Sequence, residues 1–88
     1  MGVYSDRIRT KLTQAFQPAR LAVVDDSARH HGHAGADVDG GETHFNVEIV
    51  AAAFAGKSRV ERQRMIHAVL ADELQERVHA LSLKVSDT

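Results

Sequence analysis

Eighty-eight residues, 43% of them hydrophobic, set the scale of one domain with a single core. Lysine and arginine number 11 and aspartate and glutamate 12, for a formal charge of −1; that balance argues against tight, sequence-independent binding of nucleic acid, which relies on neutralising many phosphates, and leaves room only for a local basic patch. The absence of cysteine excludes disulfides and any thiolate ligand from this chain, and fits a reducing compartment.

The N-terminal residues MGVYSDRIRTKL contain no signal-peptide apolar region, and aspartate at position 6 departs from the myristoylation pattern that Met1-Gly2 superficially suggests. No apolar run approaches a membrane span of about 18 residues. A soluble, cytoplasmic protein is expected. The first element reads as a helix with Ser5 as N-cap, Asp6 in the first turn, and Ile8, Leu12 and Phe16 forming one apolar stripe. Pro18 stops it. Leu21 to Val24, LAVV, is a short strand. A polar stretch then holds four of the six glycines (Gly32, Gly35, Gly40, Gly41), which predicts a long loop over about residues 26–42.

A second strand opens at THFNVEIV, where Phe45, Val47 and Ile49 alternate with His44, Asn46 and Glu48. Pairing of these two strands is expected. Ser58 and Glu61 form an S-x-x-E capping box ahead of a helix whose apolar face is Ile66, Val69, Leu70 and Leu74. The last strand, VHALSLKV, places His79, Leu81, Leu83 and Val85 on one side. Helix, strand, strand, helix, strand, with helices on one sheet face, gives a two-layer α+β domain spanning residues 1–88.

Three of the six histidines fall within RHHGHAG, Arg29 to Gly35. Imidazole is the commonest protein metal ligand, and three so close together favour metal affinity, adventitious zinc or nickel included. The alternative for these three is a solvated segment without a role. His44 reads as a wet-face strand residue and His67 as a mid-helix residue at the surface or the core rim, neither with an assigned role. Lys57, Arg59, Arg62 and Arg64 gather at the start of the main helix, where they can contact phosphates or serve only as a solvated face. Enzyme chemistry is not indicated: there is no cysteine nucleophile and no evident serine–histidine–acid set. Asp25 and Asp26 are strand-end neighbours pointing to opposite sides, unsuited to shared acid–base work.

The segments PARLAVVDDSARHHGHAG, GETHFNVEIVAAAFAG, RVERQRMIHAVLADEL and VHALSL together resemble the BolA family. The matching pattern is Asp-x-Ser before the loop, Thr-His-Phe at a strand start, R-x-R on a helix, and Val-His-Ala-Leu at the last strand. The resemblance implies a class II KH-like fold of order αββααβ with a three-stranded mixed sheet, and adds a short helical turn around residues 54–60. It implies partnership with a monothiol glutaredoxin, sharing a [2Fe–2S] cluster, in iron–sulfur trafficking or iron regulation. The alternative it implies is a DNA-binding transcriptional regulator using Lys57, Arg59, Arg62 and Arg64. Gln63 departs from the family, which has histidine between the two arginines. A KH-type G-x-x-G loop is absent, since Gly56-Lys57-Ser58-Arg59 lacks the second glycine.

Two histidines can replace two cysteines on one iron of a [2Fe–2S] cluster. A cysteine-free chain can therefore hold half of one if a partner supplies sulfur, in the family from a glutaredoxin cysteine and glutathione. The resemblance assigns His79 as one ligand, matching the Val-His-Ala-Leu histidine. It places the second three residues after the motif serine, Ser27, at His30, with His33 and then His31 as alternatives. On the residues alone, His79 is a partly buried strand histidine that packs or hydrogen-bonds.

Overall fold

The computed structural model describes residues 2–26 and 43–88. Its elements are α1 (Val3–Phe16), β1 (Arg20–Asp25), β2 (His44–Val50), a 3-10 turn (Ala52–Phe54), α2 (Arg59–Val69), α3 (Ala71–Glu76) and β3 (Ala80–Ser86). The strands lie in the order β1-β2-β3. β1 runs antiparallel to β2, with Leu21 opposite Ile49 and Val23 opposite Val47, and β3 runs parallel to β2, with Phe45 opposite Leu81. The parallel pairing requires a crossover, and the 3-10 turn, α2 and α3 form it. This is the expected α+β arrangement of helices and a mixed three-stranded sheet.

The period-2 pattern of β2 sets the layers. Phe45, Val47 and Ile49 are buried against Ile8 and Leu12 of α1, Ile66 of α2, Leu70 and Val78. Phe54 is fully buried, and its ring lies 4.8 Å from that of Phe16, pinning the end of α1 to the 3-10 turn. Ala22, Val24, Asn46, Glu48, Ser82 and Lys84 line a shallow hollow on the sheet's other face.

The structure shifts several boundaries. α1 begins at Val3 with Gly2 as N-cap, so Ser5 is not the cap. The extra turn is held by tertiary contact, since the Tyr4 hydroxyl donates to Glu76 Oε1 at 3.0 Å. Gln17 closes α1 at φ 49°, directly before Pro18. The helical turn expected around residues 54–60 lies earlier, at Ala52–Phe54, and Gly56 takes the left-handed φ of 77° that turns the chain toward α2. The main helix divides at Leu70, with neither proline nor glycine at the break. His79 precedes β3 rather than belonging to it, and its side is exposed where Leu81, Leu83 and Val85 are half-buried.

The break at Leu70 sets α3 against α1. Glu73 has no solvent exposure, and its carboxylate accepts from Arg7 Nε at 2.8 Å and from Lys11 Nζ at 3.0 Å. Glu76 accepts from Arg7 Nη1 at 3.0 Å. The Arg7 guanidinium also lies over the Tyr4 ring. The carbonyl of Glu73 accepts the N–H groups of Arg77 and Val78, so the clasp ends directly before His79.

The predicted capping box is present in full. Glu61 N–H donates to Ser58 Oγ at 3.1 Å, and Ser58 N–H donates to Glu61 Oε1 at 2.8 Å. The Ser58 backbone and hydroxyl hold the Glu61 carboxyl below the usual carboxylate range. Ser58→Ala removes the acceptor for one orphan N–H, and a loss of about 1 kcal/mol in denaturant unfolding is expected; an unchanged midpoint would show that the cap contributes nothing.

Candidate functional site

The loop predicted over residues 26–42 meets the described structure at Asp26 and Thr43. Both are tied to the same end of the sheet. Asp26 N–H donates to the His44 carbonyl at 2.8 Å. The Thr43 carbonyl accepts the N–H groups of both His79, at 2.8 Å, and Ala80, at 3.1 Å. Across the strands, His44 lies opposite Ala80. The two loop roots and His79 therefore share one rim of the molecule. Sequence reasoning quoted Thr43 as a motif residue without seeing its task, which is to receive the turn that carries His79.

His79 is exposed, and its ring makes no hydrogen bond or ion pair among the described residues. A neutral imidazole so placed keeps a nitrogen lone pair for a ligand. His44, next to it on the rim, is half-buried and shares a hydrogen bond of 2.8 Å between its Nδ1 and Thr43 Oγ1. His67 is exposed in the last turn of α2. His30, His31, His33 and Ser27 lie outside the described residues. Among the described residues, no group of three or more histidine, aspartate or glutamate side chains is poised to hold a metal ion. Of the two imidazoles on this rim, His79 is the exposed one.

The four basic candidates separate into two kinds. Lys57, Arg59 and Arg64 are exposed. Arg62 is engaged: its Nε donates to the carbonyls of Phe54 at 3.1 Å and Lys57 at 3.0 Å, and Nη1 reaches the Val85 carbonyl at 3.4 Å. It braces the start of α2 against β3. Lys57, Arg59, Arg62 and Gln63 face Leu83, Lys84 and Val85 across a groove of about 500 Å³. Lys84 and Gln63 entered this groove unannounced by sequence, because neither belongs to the run of positive charge at the helix start.

Comparison with known proteins agrees with the fold. A family model described as BolA-like protein matches residues 12–88. The chain belongs to the BolA-like family. It is 49% identical over 86 residues to SufE-like protein 1, chloroplastic/mitochondrial, of Arabidopsis thaliana, covering 94% of this chain and 23% of that protein. It is 47% identical over 78 residues to DNA-binding transcriptional regulator BolA of Escherichia coli (strain K12), covering 89% of this chain and 70% of that one. This BolA-like chain thus spans about a quarter of the length of the first relative and most of the second. Among solved structures, the BolA domain of SufE1 from Arabidopsis thaliana superposes with a TM-score of 0.87 at 46% identity, covering 99% of this chain and 94% of that one. BolA1 from the same plant gives 0.88 at 38% identity, covering 99% and 94%. No helix among the described residues is long and apolar enough to cross a membrane.

Proposed function

We propose that this BolA-like chain is a cytoplasmic, non-enzymatic adaptor that binds a monothiol glutaredoxin and shares a [2Fe–2S] cluster with it in iron–sulfur trafficking or iron regulation. His79 is one ligand and His30 the other, with His33 and then His31 as alternatives. The observation that carries this reading is the placement of an exposed, unengaged His79 on the rim where both roots of the histidine-bearing segment are tied. Chain length allows the pairing: His30 follows Asp26 by four residues, a reach of about 14 Å, whereas two strand spacings from β1 to β3 come to about 10 Å. The cluster, when bound, supplies electron-transfer and cluster-transfer chemistry. This chain's part is to present neutral imidazole nitrogen from a fixed backbone and to leave the sulfur positions to glutaredoxin and glutathione.

The test is anaerobic assembly of the chain with a monothiol glutaredoxin and glutathione, read by the visible spectrum of the cluster, for wild type and for His30→Ala, His31→Ala and His33→Ala. Loss confined to one loop variant names the second ligand; loss in none rejects a loop ligand. Histidine binds metal only when neutral, with an ordinary pKa of about 6.5. Cluster retention on the wild-type complex is therefore expected to weaken below about pH 6. A spectrum unchanged through that range would contradict histidine ligation.

A second reading, DNA-binding regulation, draws on the name of the Escherichia coli relative. Here it would rest on Lys57, Arg59 and Arg64, since Arg62 is occupied in bracing β3. Binding of that kind falls steeply with salt and needs neither iron nor glutaredoxin.

A further inference from the structure

We infer that the outer edge of β3 is a docking edge for an extended acidic peptide, which adds as a fourth strand beside β3 in the groove bounded by α2. Among the described residues, β3 pairs with β2 alone. The direction of its backbone groups follows from two bonds: the Ser86 carbonyl accepts Ala51 N–H, and Ala80 N–H donates to Thr43, so even-numbered residues face β2. Strand geometry then turns the N–H and carbonyl groups of Leu81, Leu83 and Val85 outward. The Arg62 Nη1 contact with the Val85 carbonyl, long at 3.4 Å, confirms that direction. No bond satisfies the outward groups of Leu81 and Leu83 among the described residues.

The groove walls say what kind of strand fits. Lys57 and Arg59 stand on the helix side and Lys84 at the strand, with Gln63 and the already engaged Arg62 between, and no carboxylate among the described residues lines the space. The nearby Glu61 carboxylate is held in the capping box. A strand with carboxylates on alternate residues would satisfy the free ladder groups and meet these cations. Single-stranded nucleic acid would meet the same charge, but binding of that class leans on aromatic side chains for base stacking, and none of the described residues lining the groove is aromatic. His79 lies six residues before Val85, roughly 20 Å along the strand, so this edge works independently of the cluster reading.

The test is an amide-resolved NMR titration of the full chain, without iron or glutaredoxin. The probes are a short peptide alternating glutamate with valine, the same peptide N-methylated at alternate amides, and a short single-stranded DNA. The acidic peptide is expected to shift the amides of Leu81, Leu83 and Val85. N-methylation on the pairing edge is expected to abolish that shift. Arg59→Glu combined with Lys84→Glu, both at exposed positions, is expected to weaken binding about tenfold, as reversal of two rim charges implies. Absence of peptide binding, equal binding of the N-methylated peptide, indifference to charge reversal, or tighter binding of the DNA at these residues would each overturn the inference.

Discussion

His79→Ala is expected to reduce cluster retention on the glutaredoxin complex by more than about tenfold, since even an outer-shell partner of a metal ligand is worth that much. The measurement is the iron–sulfur absorbance of the anaerobically assembled complex, referred to bound iron. The substitution should leave the fold untouched. The ring is exposed and makes no bond among the described residues, while the contact that places the turn comes from the backbone N–H, which alanine keeps. A surface change of this kind alters stability by no more than about 0.5 kcal/mol. A variant that unfolds would mark His79 as structural, and one that keeps both fold and spectrum would remove it from the ligand set. His67→Ala, on the exposed face of α2, is the matched control and should leave the spectrum unchanged.

Glu73→Gln is the substitution expected to cost most in stability, about 2 kcal/mol, or on the order of 10 °C in the thermal midpoint. Glutamine keeps the shape and removes the charge that Arg7 and Lys11 address. Fully buried ion pairs lose about 3–5 kcal/mol when one partner is removed. Here Arg7 and Lys11 are 32% and 33% exposed and can turn to water, which lowers the figure. The same carboxylate sets an acid dependence. Burial pushes the Glu73 pKa up, but hydrogen bonds from Lys11 and the backbone, with the charges of Lys11 and Arg7, outweigh it and hold the group below its ordinary value. Glu76 is lowered first by its hydrogen bond from Arg7 and then by that from Tyr4. A carboxyl more acidic when folded than unfolded binds its proton more readily in the unfolded chain. Its stabilisation is complete above the ordinary value of 4.5 and is lost as pH falls through the lower folded values. Wild-type stability, followed by urea unfolding, should therefore decline below about pH 4.5, and Glu73→Gln should flatten that decline. Parallel curves for the two proteins would show that Glu73 does not carry it.

Local rules made much of this fold readable. The alternation of Phe45, Val47 and Ile49 with polar neighbours marked β2 as a strand with one buried face, and the Ser58–Glu61 pair fixed the start of α2, because each acts within a few residues. The misreadings share another cause. Gly2 rather than Ser5 caps α1 because Tyr4 finds Glu76, 72 positions away. The break at Leu70 carries no punctuating residue and accompanies the pairing of Glu73 with α1. Period-2 counting carried β3 two residues too far, to Val78, because alternation cannot distinguish a strand's first residue from the turn that feeds it. At the candidate site, motif resemblance singled out His79, while the role of Thr43 appears only when two strands lie side by side. The basic run at the helix start was visible as charge, yet the diversion of Arg62 into carbonyls of its own chain was not.

Asp26 and Thr43, the described ends of the connection between β1 and β2, are tied to one end of the sheet. Doubling the length of such a connection costs only about 0.6 kcal/mol in closure entropy. Variants that transplant a longer or differently furnished stretch between positions 26 and 43 should fold as readily as the parent, which makes this rim a natural place to change the chain by design.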